Sequence, residues 1–145
     1  VSVLLTVVSG FSVFVLGQFV LKLVLEPIVS FKEALGSLSA FCLKNRAKIT
    51  NANASLDDQN ELRQIISTIL SKKEAIPFYS KVARLLKLPR EVDLLKACKN
   101  LNFVAYEMCK DTATHKTGTV GCTQIVFELH ATSDLLDLCL DFETL

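Results

Sequence analysis

The chain has 145 residues, a net charge of +1 and 50% apolar side chains, a length that suits one domain. The apolar content is unevenly spread: residues 1–21 hold no charged side chain, and 14 of those 21 are Val, Leu or Phe, which excludes a plain cytosolic globule. The remaining 124 residues, at roughly 47% apolar, exclude a disordered chain, and the near-neutral balance lacks the basic footprint of nucleic-acid binding, so no nucleic-acid partner is expected.

A bilayer core of about 30 Å needs roughly 20 apolar residues in a helix, and residues 1–21 supply that length before Lys22 and Glu26 appear. Fourteen large apolar residues contribute on the order of −6 kcal/mol to insertion, which four hydroxyls and one Gln do not cancel. A secretory signal peptide is the main rival. It normally carries Lys or Arg ahead of a shorter apolar stretch and a small-residue cleavage site after it, and none of these is present. A buried soluble helix is the other rival. The expectation is a transmembrane helix over residues 1–25 in contact with the lipid bilayer. Positive charge lies downstream at Lys22, Lys32, Lys44, Arg46 and Lys48, which places the C-terminal part in the cytoplasm.

Within the span, Ser2, Thr6 and Gly10 recur every four residues, a small-residue stripe that lets two helices approach closely. Gly17 and Gln18 add a second polar patch, and the Gln18 amide can hydrogen-bond across a helix pair. These four positions, Ser2, Thr6, Gly10 and Gln18, are the candidates for self-association into a homo-oligomer.

A cytoplasmic helical domain is expected over residues 26–110. Glu26-Pro27 marks a kink or helix restart at the membrane surface, because Pro lacks an amide proton and suits a first helical turn. Ile28, Phe31, Leu35, Leu38, Cys42 and Ile49 follow at heptad spacing with Asn45 at the missing position, giving either a short coiled-coil seam weakened by Gly36 or a core-facing stripe. Ser55 and Asp58 open a third helix that runs to about Lys73, with Leu62, Ile65, Ile66 and Ile69 as its stripe. Pro77 opens a fourth carrying Phe78, Val82, Leu85 and Leu86. Pro89 opens a fifth carrying Val92, Leu95, Cys98, Leu101, Ala105 and Met108. These stripes close one small bundle.

Residues 111–145 form an acidic C-terminal segment of net −5, against +6 for residues 22–110. A Thr/Gly-rich loop leads into Cys122 to Leu129, whose β-branched and aromatic residues suit a short strand, and Ser133 caps a last helix through Leu140. The fold class is therefore all-α, with one transmembrane helix, a small helical bundle and one short strand near the C-terminus.

The runs GQFVLKLVLEPI and LRQIISTILSKKEAIPFYSKVARLLKLP resemble a group of small bacterial inner-membrane proteins with one N-terminal span and a short cytoplasmic helical region. The likeness covers about residues 10–108, and its most specific piece is the Ile76 to Tyr79 corner. It implies a bacterial plasma membrane and carries over no functional residues.

No catalytic constellation emerges. Cys109, His115, Cys122 and His130 are zinc-ligand types, but their gaps do not match the paired loops of structural zinc sites, so neither metal nor cofactor is expected. The five cysteines are odd in number, lack a CxxC pair and read as reduced thiols. Nucleophilic catalysis needs a Cys or Ser beside an oriented His, and no GxSxG, P-loop or GxGxxG occurs. Asp57 and Asp58 sit where helix-start acids sit. A denser feature is the basic run, in which Lys81, Arg84 and Lys87 recur at threes along the fourth helix. It reads as a solvated face, as an attraction for anionic lipid or as a dock for the acidic tail. The function expected is a non-catalytic, membrane-anchored helical module that binds a protein partner or self-associates. The alternative is an oligomerising membrane effector, pore-forming or membrane-disrupting, gated by its cytoplasmic domain; the low polarity of the span counts against it.

Overall fold

The computed structural model describes residues 1–113 and 119–141. Seven α-helices follow in chain order: α1 Ser2–Val20, α2 Glu26–Lys44, α3 Arg46–Thr50, α4 Leu56–Glu74, α5 Tyr79–Leu86, α6 Glu91–Glu107 and α7 Thr119–Leu136. A π-helical turn, Leu21–Leu25, joins α1 to α2, so that Ser2–Lys44 is one helix of 43 residues, about 65 Å long at 1.5 Å per residue. This is a helix long and apolar enough to cross a membrane. Of the expected kink or restart at Glu26-Pro27, the restart does not occur, since the helix runs on through it. Pro27 sits in the first turn of α2 and cannot donate to the carbonyl four residues back. The wider π turn, in which the Glu26 amide donates to the Leu21 carbonyl, takes up the irregularity just before it.

The two halves of this long helix have opposite surroundings. No residue of α1 is buried, whereas α2 buries Ile28, Phe31, Leu35, Leu38 and Cys42 in the core. Each large side chain so buried contributes roughly 1.5–3 kcal/mol. The heptad-spaced residues therefore form a core-facing stripe inside one chain rather than a coiled-coil seam. Asn45, at the missing position, is buried and ends α2, its Nδ2 donating to the Phe41 carbonyl at 3.2 Å; Ile49 reaches the same core from α3.

α2 packs on α4, α4 on α6, and α6 on α7, and α3 also touches α7. α4 opens at the expected Ser55–Asp58 start, where the two residues form a capping box. Behind it Gln59 is buried and ties the helix to the α6 end, its amide donating to the Ala105 carbonyl at 2.8 Å and to Thr112 Oγ1 at 2.9 Å. Lengthwise, the α2–α4 hairpin brings the far end of α4 back toward the start of α2, where Tyr79 meets Phe31 edge to face with centroids 5.8 Å apart.

Two expectations fail. Among the described residues there is no β-strand, only an isolated bridge between Ala54 and Cys109. Cys122 to Leu129 lies within α7, where Ile125, Leu129, Thr132 and Leu136 are buried at helical spacing against the core; packing overrides the β-propensity of the branched residues. Ser133 is likewise inside α7 rather than at a helix start. The helix ends at Asp137, whose φ of 51° is left-handed, and the Leu138 amide reaches back to the Ser133 carbonyl in the manner of a Schellman cap.

The stripe of the fourth helix is also displaced, and that of the fifth departs only at its first turn. Helix α5 begins after a left-handed Phe78 (φ 52°), later than Pro77 suggests, and this entry turns Tyr79 and Ala83 inward while Phe78 and Leu85 stay 78% and 82% exposed. In α6 and its C-cap the expected Cys98, Leu101, Ala105 and Met108 are buried, whereas Val92 and Leu95 are exposed and Leu94, Ala97 and Val104 fill the core in their place.

Candidate functional site

Along α1 the hydroxyls are satisfied by the helix itself. Thr6 Oγ1 donates to the Ser2 carbonyl, Ser9 Oγ to that of Thr6 and Ser12 Oγ to that of Val8, all at 2.8–2.9 Å. This back-bonding leaves α1 with little unmet polarity. Ser2, Thr6 and Gly10 share one face, and no atom lies within 4 Å of the position of a Cβ on Gly10 or Gly17. Gly17, two turns beyond Gly10, extends that face. Gln18 does not join it: at about 100° per residue it lies roughly 80° round from Gly10 and roughly 160° from Ser2. It instead lines a shallow apolar groove with Phe14, Phe19, Lys22 and Leu23.

At the other candidate site, the turn α4–α5 and the start of α6 form a corner beside Phe31. Lys73 is committed there, pairing with Glu74 at 2.8 Å and Glu91 at 2.6 Å and lying 5.7 Å from the centre of the Tyr79 ring. Its ammonium pKa is raised by these hydrogen bonds, that to Glu74 foremost. Arg90 is held by Asp93 at 2.6 Å. Lys81, Arg84 and Lys87 are exposed and make no ion pair among the described residues. Lys81 lies over the exposed Phe78 ring at 5.7 Å, and Arg84 and Lys87 border a groove of about 440 Å³ whose walls include Leu88, Arg90 and Glu91. Lys87 ends α5 in a left-handed conformation (φ 52°), with the Leu88 amide donating to the Ala83 carbonyl at 2.9 Å.

The acidic tail docks elsewhere. Asp141 is buried against Arg46 at the α2–α3 junction, with His130 Nε2 3.5 Å away, and Ser39 Oγ donates to the Cys139 carbonyl. The described part of the tail thus meets α2 and α3 and leaves Lys81, Arg84 and Lys87 to another environment. None of the five cysteines is in a disulfide. His115 lies outside the described residues, and among the described residues no group of three or more His, Cys, Asp or Glu side chains is placed to share a metal ion.

The exposed apolar edge at Phe78 and Leu85, next to the basic residues, is the feature that sequence reasoning missed. Periodicity assigned both to the core, and the one local signal against it was the Pro-Phe-Tyr corner, which changes the helix's phase. Comparison with family models, with curated proteins and with solved structures finds no match for this chain.

Proposed function

We propose that this chain is a single-pass, membrane-anchored helical module of a bacterial plasma membrane, non-catalytic, with its bundle in the cytoplasm, acting by binding a protein partner or a second copy of itself. One observation carries the reading: a single continuous helix is bare and uncharged over residues 2–20 and becomes the central core element from Ile28 onward. Exposing these twelve large apolar side chains to water is strongly unfavourable, whereas lipid removes that penalty without any change in the bundle. The downstream lysines support the orientation, and the open Ser2–Thr6–Gly10 face supports close helix pairing. The likeness to small bacterial inner-membrane proteins supports the compartment.

The test is a pair of C-terminal fusions in a bacterial host. A fluorescent reporter that matures only in the cytoplasm should be bright in the membrane fraction, and an alkaline phosphatase fusion should be inactive. The reverse pattern would contradict the orientation. Replacing residues 2–20 by an unrelated Leu/Ala helix should preserve membrane residence and capture of a protein partner by the bundle, while weakening pairing of two copies through the span. If overproduction of the native chain depolarises cells while the Leu/Ala version does not, the effector reading replaces this one.

A further inference from the structure

Resting on the membrane-anchor reading, we propose that the corner formed by α5 and its flanking turns is a second membrane contact, which seats the bundle on the anionic lipid of the leaflet it faces. Position is the first ground. Tyr79 packs on Phe31, six residues past Leu25, which is about 9 Å along the helix at 1.5 Å per residue. The headgroup layer on each side of the hydrocarbon is roughly 5–8 Å thick. The core itself extends to Val24 and Ile28, so the bundle begins where the span ends, and the start of α5 lies just beyond the headgroup layer, within reach of it for long Lys and Arg side chains.

Chemistry is the second ground. A surface helix that lies in a lipid interface presents apolar side chains beside Lys and Arg. Here Phe78 and Leu85 are 78% and 82% exposed, and Lys81, Arg84 and Lys87 flank them. Tyr79 and Ala83 occupy the opposite, core-facing side, so the apolar arc of α5 is wider than the core can cover. Arg84, Lys87 and Arg90 border the groove of about 440 Å³ over Ala83 and Leu88, a basic rim above an apolar floor that matches a lipid phosphate with its first methylenes. The carboxylate of Glu91, the one acid on that rim, is engaged by Lys73. Of the rim's cations, Arg90 is paired with Asp93, whereas Arg84 and Lys87 make no ion pair among the described residues, and Asp58 and Asp141 are engaged elsewhere by Lys48 and Arg46. Charge complementarity therefore favours an anionic lipid surface over an acidic segment of this chain.

The chain contains no Trp, so single-Trp variants of the full-length protein report depth without interference. Phe14→Trp in the span and Phe78→Trp at the corner would be reconstituted into bilayers carrying brominated acyl chains, either phosphatidylcholine alone or rich in phosphatidylglycerol. Phe14→Trp should be quenched in both. Phe78→Trp should be quenched roughly twofold more in the anionic bilayer, and the triple variant Lys81→Glu, Arg84→Glu, Lys87→Glu should abolish that difference without changing the Phe14→Trp signal. Quenching of Phe14→Trp with none of Phe78→Trp would overturn the corner contact while leaving the anchor intact, and would reserve the surface for a protein. Equal quenching of Phe78→Trp in both lipids would overturn the role of charge. Absence of Phe14→Trp quenching would overturn the anchor, and the contact with it. Circular dichroism of each variant guards against misfolding, and the exposure of Phe78 makes its replacement mild.

Discussion

Asp58 concentrates three interactions on one carboxylate. The Ser55 amide and hydroxyl both donate to it, at 3.0 and 2.9 Å, and Lys48 approaches at 3.2 Å. The backbone hydrogen bond from Ser55 is the foremost reason that its pKa lies below the usual carboxylate value. A depressed folded-state pKa means stability that is present at neutral pH and lost as pH falls through the folded value. The melting temperature should therefore drop on acidification below about pH 4, and Asp58→Asn should flatten that limb. Ser55→Ala should cost about 1 kcal/mol at neutral pH; thermal melts followed by circular dichroism read both. Buried thiols give a second residue-scale expectation. Burial pushes the Cys42 thiol up to about 12 and that of Cys98 up to about 11, and the thiolate is the reactive form. Both should resist maleimide at neutral pH in the folded protein and react fully in denaturant, as mass spectrometry would show. Fast native labelling of Cys42 would contradict its place in the core.

Element by element, α2 has the most to carry, being anchored at one end in the long helix and packed along its length. Gly36 lies on its exposed side with nothing within 4 Å of the position of a Cβ, so Gly36→Ala should stabilise the protein by about 0.5–1 kcal/mol, seen as a raised melting temperature. A loss of stability would mean that this face is occupied in the assembled state. The elements most legible in the sequence are those with a plain signal: the long uncharged run of α1, the period of the α2 stripe and the Ser55–Asp58 start of α4. Helix α5 is less legible because two turns leave too few residues to fix a phase, and the left-handed Phe78 resets it. Helix α7 is masked by its composition, since Val, Ile, Thr and Phe favour a strand locally until α6 offers a surface on which to bury a helical stripe. Of the candidate residues, the periodicity of Ser2, Thr6 and Gly10 survives on one face, whereas Gln18 falls away from it; spacings of four drift round a helix of 3.6 residues per turn. The basic residues Lys81, Arg84 and Lys87 were visible as a run, but their exposed apolar neighbours were not.

For the molecule as a whole, a helix of 43 residues divides into a bare half and a packed half, and the division falls at a π turn beside Pro27. The bundle is completed without α1: its core is supplied by α2 to α7 and the segment after α7, where Leu140 is buried. The bare half must then find its own apolar surroundings. Alkaline carbonate extraction of the tagged full-length chain from bacterial membranes tests this most directly. The protein is expected to stay in the membrane pellet at its full mass, because residues 2–20 are held by lipid. Release at full mass would contradict this by placing α1 against protein or water, and release at a reduced mass would show a segment that is cleaved rather than retained.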